Sequence, residues 1–154
     1  MVRRRLARLK ARRTVLFASR GVGLRLEMKI LIVDDDRTSC SILSGRLNAA
    51  GHQTLTAFDA MSGFTSIMRE RPDLVILDLG MPAGGGFSVA QRMRAIPTVA
   101  RTPIIIVTAS DDEPTRERAR SIGATAFVPK PLDMELVLRA VDDAANASSG
   151  NPLA

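Results

Sequence analysis

Four short apolar runs in this 154-residue chain each stop at a reactive side chain. Residues 30–33 run into Asp34, 74–77 into Asp78, 104–107 into Thr108 and 126–129 into Lys130. Aliphatic runs of about four residues are short for helices and do not alternate with polar residues. They read as strands covered on both faces, which is the habit of a parallel sheet. In open sheets of that kind, ligands gather at the carboxyl ends of the strands. Carboxylates, a hydroxyl and an amine should therefore converge on one edge.

From Met28 onward, strand and helix patterns alternate. Strands are expected at 29–34, 53–58, 74–78, 103–108 and 126–130. The helix over 38–50 carries Ile42, Leu43 and Leu47 as an apolar stripe and stops at Gly51. Asp59 caps a second helix that turns Met61, Phe64, Ile67 and Met68 inward and ends before Pro72. Further helices are expected at 87–96, 114–122 and 133–146. The intervening Ala83-Gly84-Gly85-Gly86 segment reads as a mobile loop. The fold class is α/β: a single doubly wound (βα)5 domain whose right-handed crossovers make the five-stranded sheet parallel. Order 2-1-3-4-5 puts the first strand beside the third and leaves the more polar second strand at an edge. The expected division is a basic, disordered leader over 1–27, a domain over 28–146 and a short flexible tail over 147–154.

Composition narrows the class. The chain holds 45% apolar and 25% charged residues, as soluble domains do, and no apolar run approaches a membrane span. Cys40 is the one cysteine, so no internal disulfide forms, and it reads as a small buried or half-buried thiol in a helix. The net charge of +6 is uneven. Residues 1–27 carry nine bases against the single acid Glu27, a net +8, whereas the remainder carries thirteen bases against fifteen acids, a net −2. Three readings of the leader stay open: a basic tail for nucleic acid or anionic lipid, a targeting segment, or an over-extended reading frame with Met28 as the natural initiator.

At the expected active edge, Asp34, Asp35 and Asp78 end neighbouring strands, roughly 5 Å apart. Like charges that close resist joint ionisation, and a bound divalent cation resolves the conflict. Oxygen-only ligands suit Mg2+ rather than zinc. His52, the only histidine, reads as a surface turn residue rather than a ligand. An aspartate beside Mg2+ is a nucleophile toward phosphorus, and Thr108 and Lys130 are placed to hold phosphoryl oxygens.

Taken with Val33-Asp34-Asp35, Leu77-Asp78-Leu79-Gly80-Met81-Pro82, Gly86, Val107-Thr108-Ala109 and Val128-Pro129-Lys130-Pro131, residues 28–146 resemble the receiver domain of two-component response regulators, of the stand-alone, chemotaxis-regulator-like kind. The resemblance implies the flavodoxin-like strand order. It implies that Asp78 accepts phosphate from a phosphohistidine of a sensor histidine kinase or phosphotransfer protein. It makes Asp34, Asp35, Asp78 and the Gly80 carbonyl the Mg2+ site. Thr108 and Lys130 hold the phosphoryl group, Lys130–Pro131 is a cis peptide, and Ala109 leaves access. Thr108 and Phe127 form the switch, and a downstream protein binds the face made by the fourth helix, fifth strand and fifth helix. Phe127 stands where a Tyr is frequent and lacks its hydroxyl, so plain packing is an equal reading. The acidic residue common just before Gly86 is missing. The implied protein is a cytoplasmic phosphoprotein, monomeric or dimerising on phosphorylation, that catalyses only its own phosphorylation and dephosphorylation.

Two other classes compete with this reading. Asp34-x-Asp36-x-Thr38 also fits the first motif of haloacid dehalogenase-type phosphatases, but the second acidic pair would have to be Asp142-Asp143, inside a helical pattern. A DNA-binding regulator has only the basic leader to offer. Arg116, Arg118 and Arg120 mark either a docking face or a solvated helix surface. Asp36 is expected to face solvent, outside the site.

Overall fold

The computed structural model describes residues 14–15 and 25–148. Five parallel strands form the central sheet: β1 (Lys29–Val33), β2 (Gln53–Ala57), β3 (Leu74–Leu77), β4 (Ile104–Thr108) and β5 (Ala126–Pro129). Their order is β2-β1-β3-β4-β5, the expected one. The helices α1 (Arg37–Ala49), α2 (Ala60–Glu70), α3 (Gly85–Ala95), α4 (Glu113–Ser121) and α5 (Met134–Ser148) follow the strands in turn. Because α5 runs to Ser148, it takes in the first two residues of the expected tail. Within the expected leader, Thr14 and Val15 pair antiparallel with Leu26 and Arg25, so that stretch is not wholly without structure. The other readings of the leader lie outside the described residues.

Side chains of a strand alternate between faces, and the two cores follow that rule. Ile30 and Ile32 of β1 pack with Leu43 and Leu47 of α1 and Val137 and Val141 of α5. Leu31 and Val33 pack on the other face with Ile67 of α2, Val89 and Met93 of α3 and Ile122 beyond α4. The central strands β1, β3 and β4 are buried on both faces, which explains their unbroken apolar runs. Strand β2 lies at an edge with mixed exposure. Pro129, which offers no N–H, ends β5 at the opposite edge, where proline costs least.

Three placements correct the sequence reading. His52 is buried, and its Nδ1 accepts the Met28 N–H at 3.2 Å. It is therefore a packed residue at the entry to β1, not a surface turn residue. Ile42 and Met61, assigned inward, are 47% and 79% exposed. Residues 83–86 are no open loop: Pro82–Gly84 is a turn of 3-10 helix, and Gly85 and Gly86 are buried in the first turn of α3. Among the described residues, no helix is long and apolar enough to cross a membrane.

Candidate functional site

Asp34, Asp78, Thr108 and Lys130 each lie where a strand ends, whereas Phe127 lies within β5. The β1 chain runs on into Asp34, whose N–H donates to the Ala57 carbonyl at 3.1 Å. The Asp78 N–H donates to the Val33 carbonyl at 3.0 Å. Thr108 closes β4, and its carbonyl accepts the Lys130 N–H at 2.7 Å. These ladder bonds carry the parallel register into the loops and bring the side chains together.

The result is a cluster of three carboxylates and one ammonium. Asp34, Asp35 and Asp78 offer oxygens that all lie within 4.8 Å of one another. Asp34 and Asp78 are buried, while Asp35 is exposed. Lys130 Nζ donates to Asp34 Oδ2 at 2.7 Å and to Asp78 Oδ2 at 3.3 Å. The other Asp34 oxygen accepts the Asp36 N–H at 2.9 Å, and the other Asp78 oxygen accepts the Gly80 N–H at 2.7 Å. Thr108 is fully buried. A Cβ built on Gly80 would lie 3.2 Å from Asp78 Oδ1 and 3.7 Å from Thr108 Oγ1. The Thr108 hydroxyl and the Asp78 carboxylate therefore border the same small space, which Gly80 keeps clear. Ala109 and Ser110 are exposed at its rim. The Lys130–Pro131 peptide is cis.

The electrostatics follow from burial. Desolvation pushes the Asp34 carboxyl above its ordinary pKa, against the pull of its bonds from Lys130 and the Asp36 N–H, while the Asp78 charge pushes the same way as burial. Burial opposes the charge on Lys130, but the bond to Asp34 and the charges of both aspartates outweigh it, and its pKa is raised. One ammonium against three clustered carboxylates leaves negative charge to be balanced. An all-oxygen donor set of this size fits a hard divalent cation, with waters completing its shell.

Asp36 does face solvent, and it has a structural task that the sequence reading missed. It caps α1, its carboxylate accepting the Thr38 N–H at 3.0 Å and the Ser39 hydroxyl at 2.8 Å. An aspartate just before a helical pattern is the ordinary signal for such a cap. Asp142 and Asp143 lie within α5, so they supply no strand-end pair for a dehalogenase-type site. Gly86 has a role beyond closing a loop. A Cβ there would sit 1.9 Å from the Asp78 carbonyl oxygen, so only glycine lets α3 start against the end of β3. The repeated glycines of the segment hid that requirement.

Residues 30–142 match the family model for the response regulator receiver domain. The chain belongs to that family, the receivers of two-component phosphorelay signalling. It is 33% identical over 114 residues to Protein PilH of Pseudomonas aeruginosa, covering 74% of this chain and 94% of PilH. It is 32% identical over 108 residues to Response regulator PleD of Caulobacter vibrioides, covering 70% of this chain but only 24% of PleD. Among solved structures, chemotaxis protein CheY4 of Vibrio cholerae superposes with a TM-score of 0.72 at 27% identity, covering 77% of this chain and 98% of that one. A two-component response regulator from Clostridium difficile shares the fold with a TM-score of 0.74 at 24% identity, covering 80% and 100%.

Proposed function

We propose that Asp78 is the phosphoacceptor of a receiver that works by phosphorylation-dependent protein contact. The observation that carries this reading is the meeting of Asp34, Asp35, Asp78 and Lys130 at one strand edge, with the Thr108 hydroxyl bordering the same space. An Asp78 carboxylate oxygen attacks phosphorus of a phosphohistidine on a sensor histidine kinase or phosphotransfer protein. The P–N bond breaks, the imidazole leaves with its electron pair and takes up a proton, and an acyl phosphate forms on Asp78. Water attack on phosphorus later restores the carboxylate and releases inorganic phosphate.

Asp34, Asp35, Asp78 and the Gly80 carbonyl would hold Mg2+. When bound, the ion supplies positive charge to the transferring phosphoryl oxygens. Lys130 pairs with one phosphoryl oxygen, and Thr108 donates its hydroxyl to another. Gly80 and Ala109, both small, leave the line of approach open. The added negative charge biases the loop after Thr108 and the face made by α4, β5 and α5, where Phe127 lies and where a downstream protein would bind. A cytoplasmic location belongs to the same proposal, because phosphohistidine donors draw on the nucleotide pool there.

The test is transfer of a radiolabelled phosphoryl group from autophosphorylated sensor kinases of the host. Label is expected on the chain only with Mg2+ present, and none on Asp78→Asn. Equal labelling of Asp78→Asn would overturn the assignment.

A further inference from the structure

Among the described residues, four arginines lie over four phenylalanine rings. Arg37 covers Phe58, Arg92 covers Phe64, Arg118 covers Phe87 and Arg116 covers Phe127. Of these four, Arg116 alone also holds a carboxylate. Its Nε and Nη2 lie 2.6 Å and 2.5 Å from Asp111 Oδ1, while its Cζ stands 4.7 Å from the centre of the Phe127 ring.

Its two partners belong to different elements that both lead to the acidic site. Asp111 lies in the loop between Thr108 and α4, and Phe127 lies in β5 three residues before Lys130. The two strands are paired, with Ile106 beside Phe127 and Thr108 beside Pro129. One side chain therefore ties the segment leaving Thr108 to the strand arriving at Lys130.

Little else restrains that segment. Residues 109–112 are exposed. The Ser110 N–H reaches Thr108 Oγ1 only at 3.4 Å, a long contact. Asp112 is occupied in capping α4 through the Thr115 N–H at 2.8 Å. Beside Phe127 there is room to move: a cavity of about 100 Å3 is bounded by Arg116, Ala119, Arg120, Ala124, Ala126 and Phe127. Arg116 is one wall of that cavity and the lid on the ring.

We propose that Arg116, clasping Asp111 and covering Phe127, is a latch that holds the β4–α4 loop and the ring in the arrangement of the unphosphorylated protein. The inference rests on Asp78 being the acceptor. A tetrahedral anion on Asp78 that recruits the Thr108 hydroxyl draws on the loop that the latch restrains. By linkage, a contact made in one arrangement lowers affinity for any ligand that favours the other. Exposed ion pairs and cation–π contacts are individually small. Breaking the latch should therefore raise affinity for a phosphoryl analogue about three-fold, not by orders of magnitude.

Beryllofluoride, added to the full chain with Mg2+, is the probe. Its affinity is read from the backbone amide shifts of Thr108 and Ser110 in the original chain, in Asp111→Asn, in Arg116→Gln and in the double variant. Arg69→Gln, which breaks the exposed pair between Arg69 and Glu70 at the end of α2, away from the loop and the ring, is the control. Each latch variant should bind about three-fold tighter, the double variant no tighter than either single one, and the control unchanged. Unchanged affinity in the latch variants, or effects that simply add, would overturn the latch while leaving Asp78 as acceptor. If the original chain shows no beryllofluoride response and Asp78 takes up no phosphoryl group, the acceptor assignment fails and the latch with it.

Discussion

Cys40 lies directly under the acidic edge, where its Sγ donates to the Asp34 carbonyl at 3.3 Å. Burial, with the Asp34 and Asp36 charges adding to it, pushes the thiol up to about 11. A thiol raised in this way stays neutral in the folded protein, and any stability linked to it is lost only as pH rises from the ordinary value through about 11. The thiolate is the reactive form. At pH 8 Cys40 should therefore resist iodoacetamide in the native chain and react quickly in denaturant, as read by intact mass. Equal rates in both conditions would contradict its burial. Gly86 offers a second test at this scale. Since a Cβ there would fall 1.9 Å from the Asp78 carbonyl oxygen, Gly86→Ala must displace α3 or the end of β3. Urea unfolding should show a loss of about 3 kcal/mol, the upper range for overpacking. The burial of Cys40 was legible in the sequence, but neither close contact was. A glycine in a glycine-rich segment gives no sign of which backbone approaches it, and a thiol gives no sign of the carbonyl above it.

Between elements, Arg94 near the end of α3 does the most joining. Its guanidinium donates to the carbonyls of Ile122, Ala100, Thr102 and Gly123 at 2.7, 2.9, 2.7 and 3.1 Å. That one side chain ties α3 to the loops entering β4 and β5. Arg94→Ala would strand several carbonyls at once and should cost about 2–3 kcal/mol in chemical denaturation. Arg94→Lys should recover little, because an ammonium cannot span the same fork of acceptors. A loss below about 0.5 kcal/mol for Arg94→Ala would refute this role. The elements themselves were readable because β1, β3 and β4 are apolar on both faces and the N-caps Asp59 and Asp112 precede their helices. Helix faces were less so. Helical spacing put Ile42 and Met61 inward, yet α1 and α2 rest on the sheet through narrower stripes centred on Leu43 and Leu47, and on Gly63 and Ile67. His52 looked like a turn residue because nothing in its neighbours announces the Met28 N–H it accepts.

For the whole molecule, doubly wound topology does most to place the site. Order β2-β1-β3-β4-β5 sets the ends of β1 and β3 side by side. Asp34, Asp35 and Asp78 then share one volume, with Lys130 reaching across from β5. That convergence was legible, because four apolar runs ending in polar residues can meet in few other ways. The Arg116 clasp was not, since it joins residues whose proximity depends on the path of the β4–α4 loop. A cluster with excess negative charge should also make stability depend on divalent ions. Saturating Mg2+ should raise the thermal midpoint, by about 2.7 kcal/mol of added stability at a concentration one hundred times its Kd. Chelator should reverse the gain, and Asp35→Asn should remove most of it. A midpoint insensitive to Mg2+ would argue against a cation site at this edge.

The most direct measurement is peptide mass mapping of the full chain after reaction with a small acyl phosphate and Mg2+. A single labile phosphoryl group is expected on the peptide containing Asp78, absent without Mg2+ and absent in Asp78→Asn. A phosphoryl group on any other residue, or one that persists in Asp78→Asn, would contradict it.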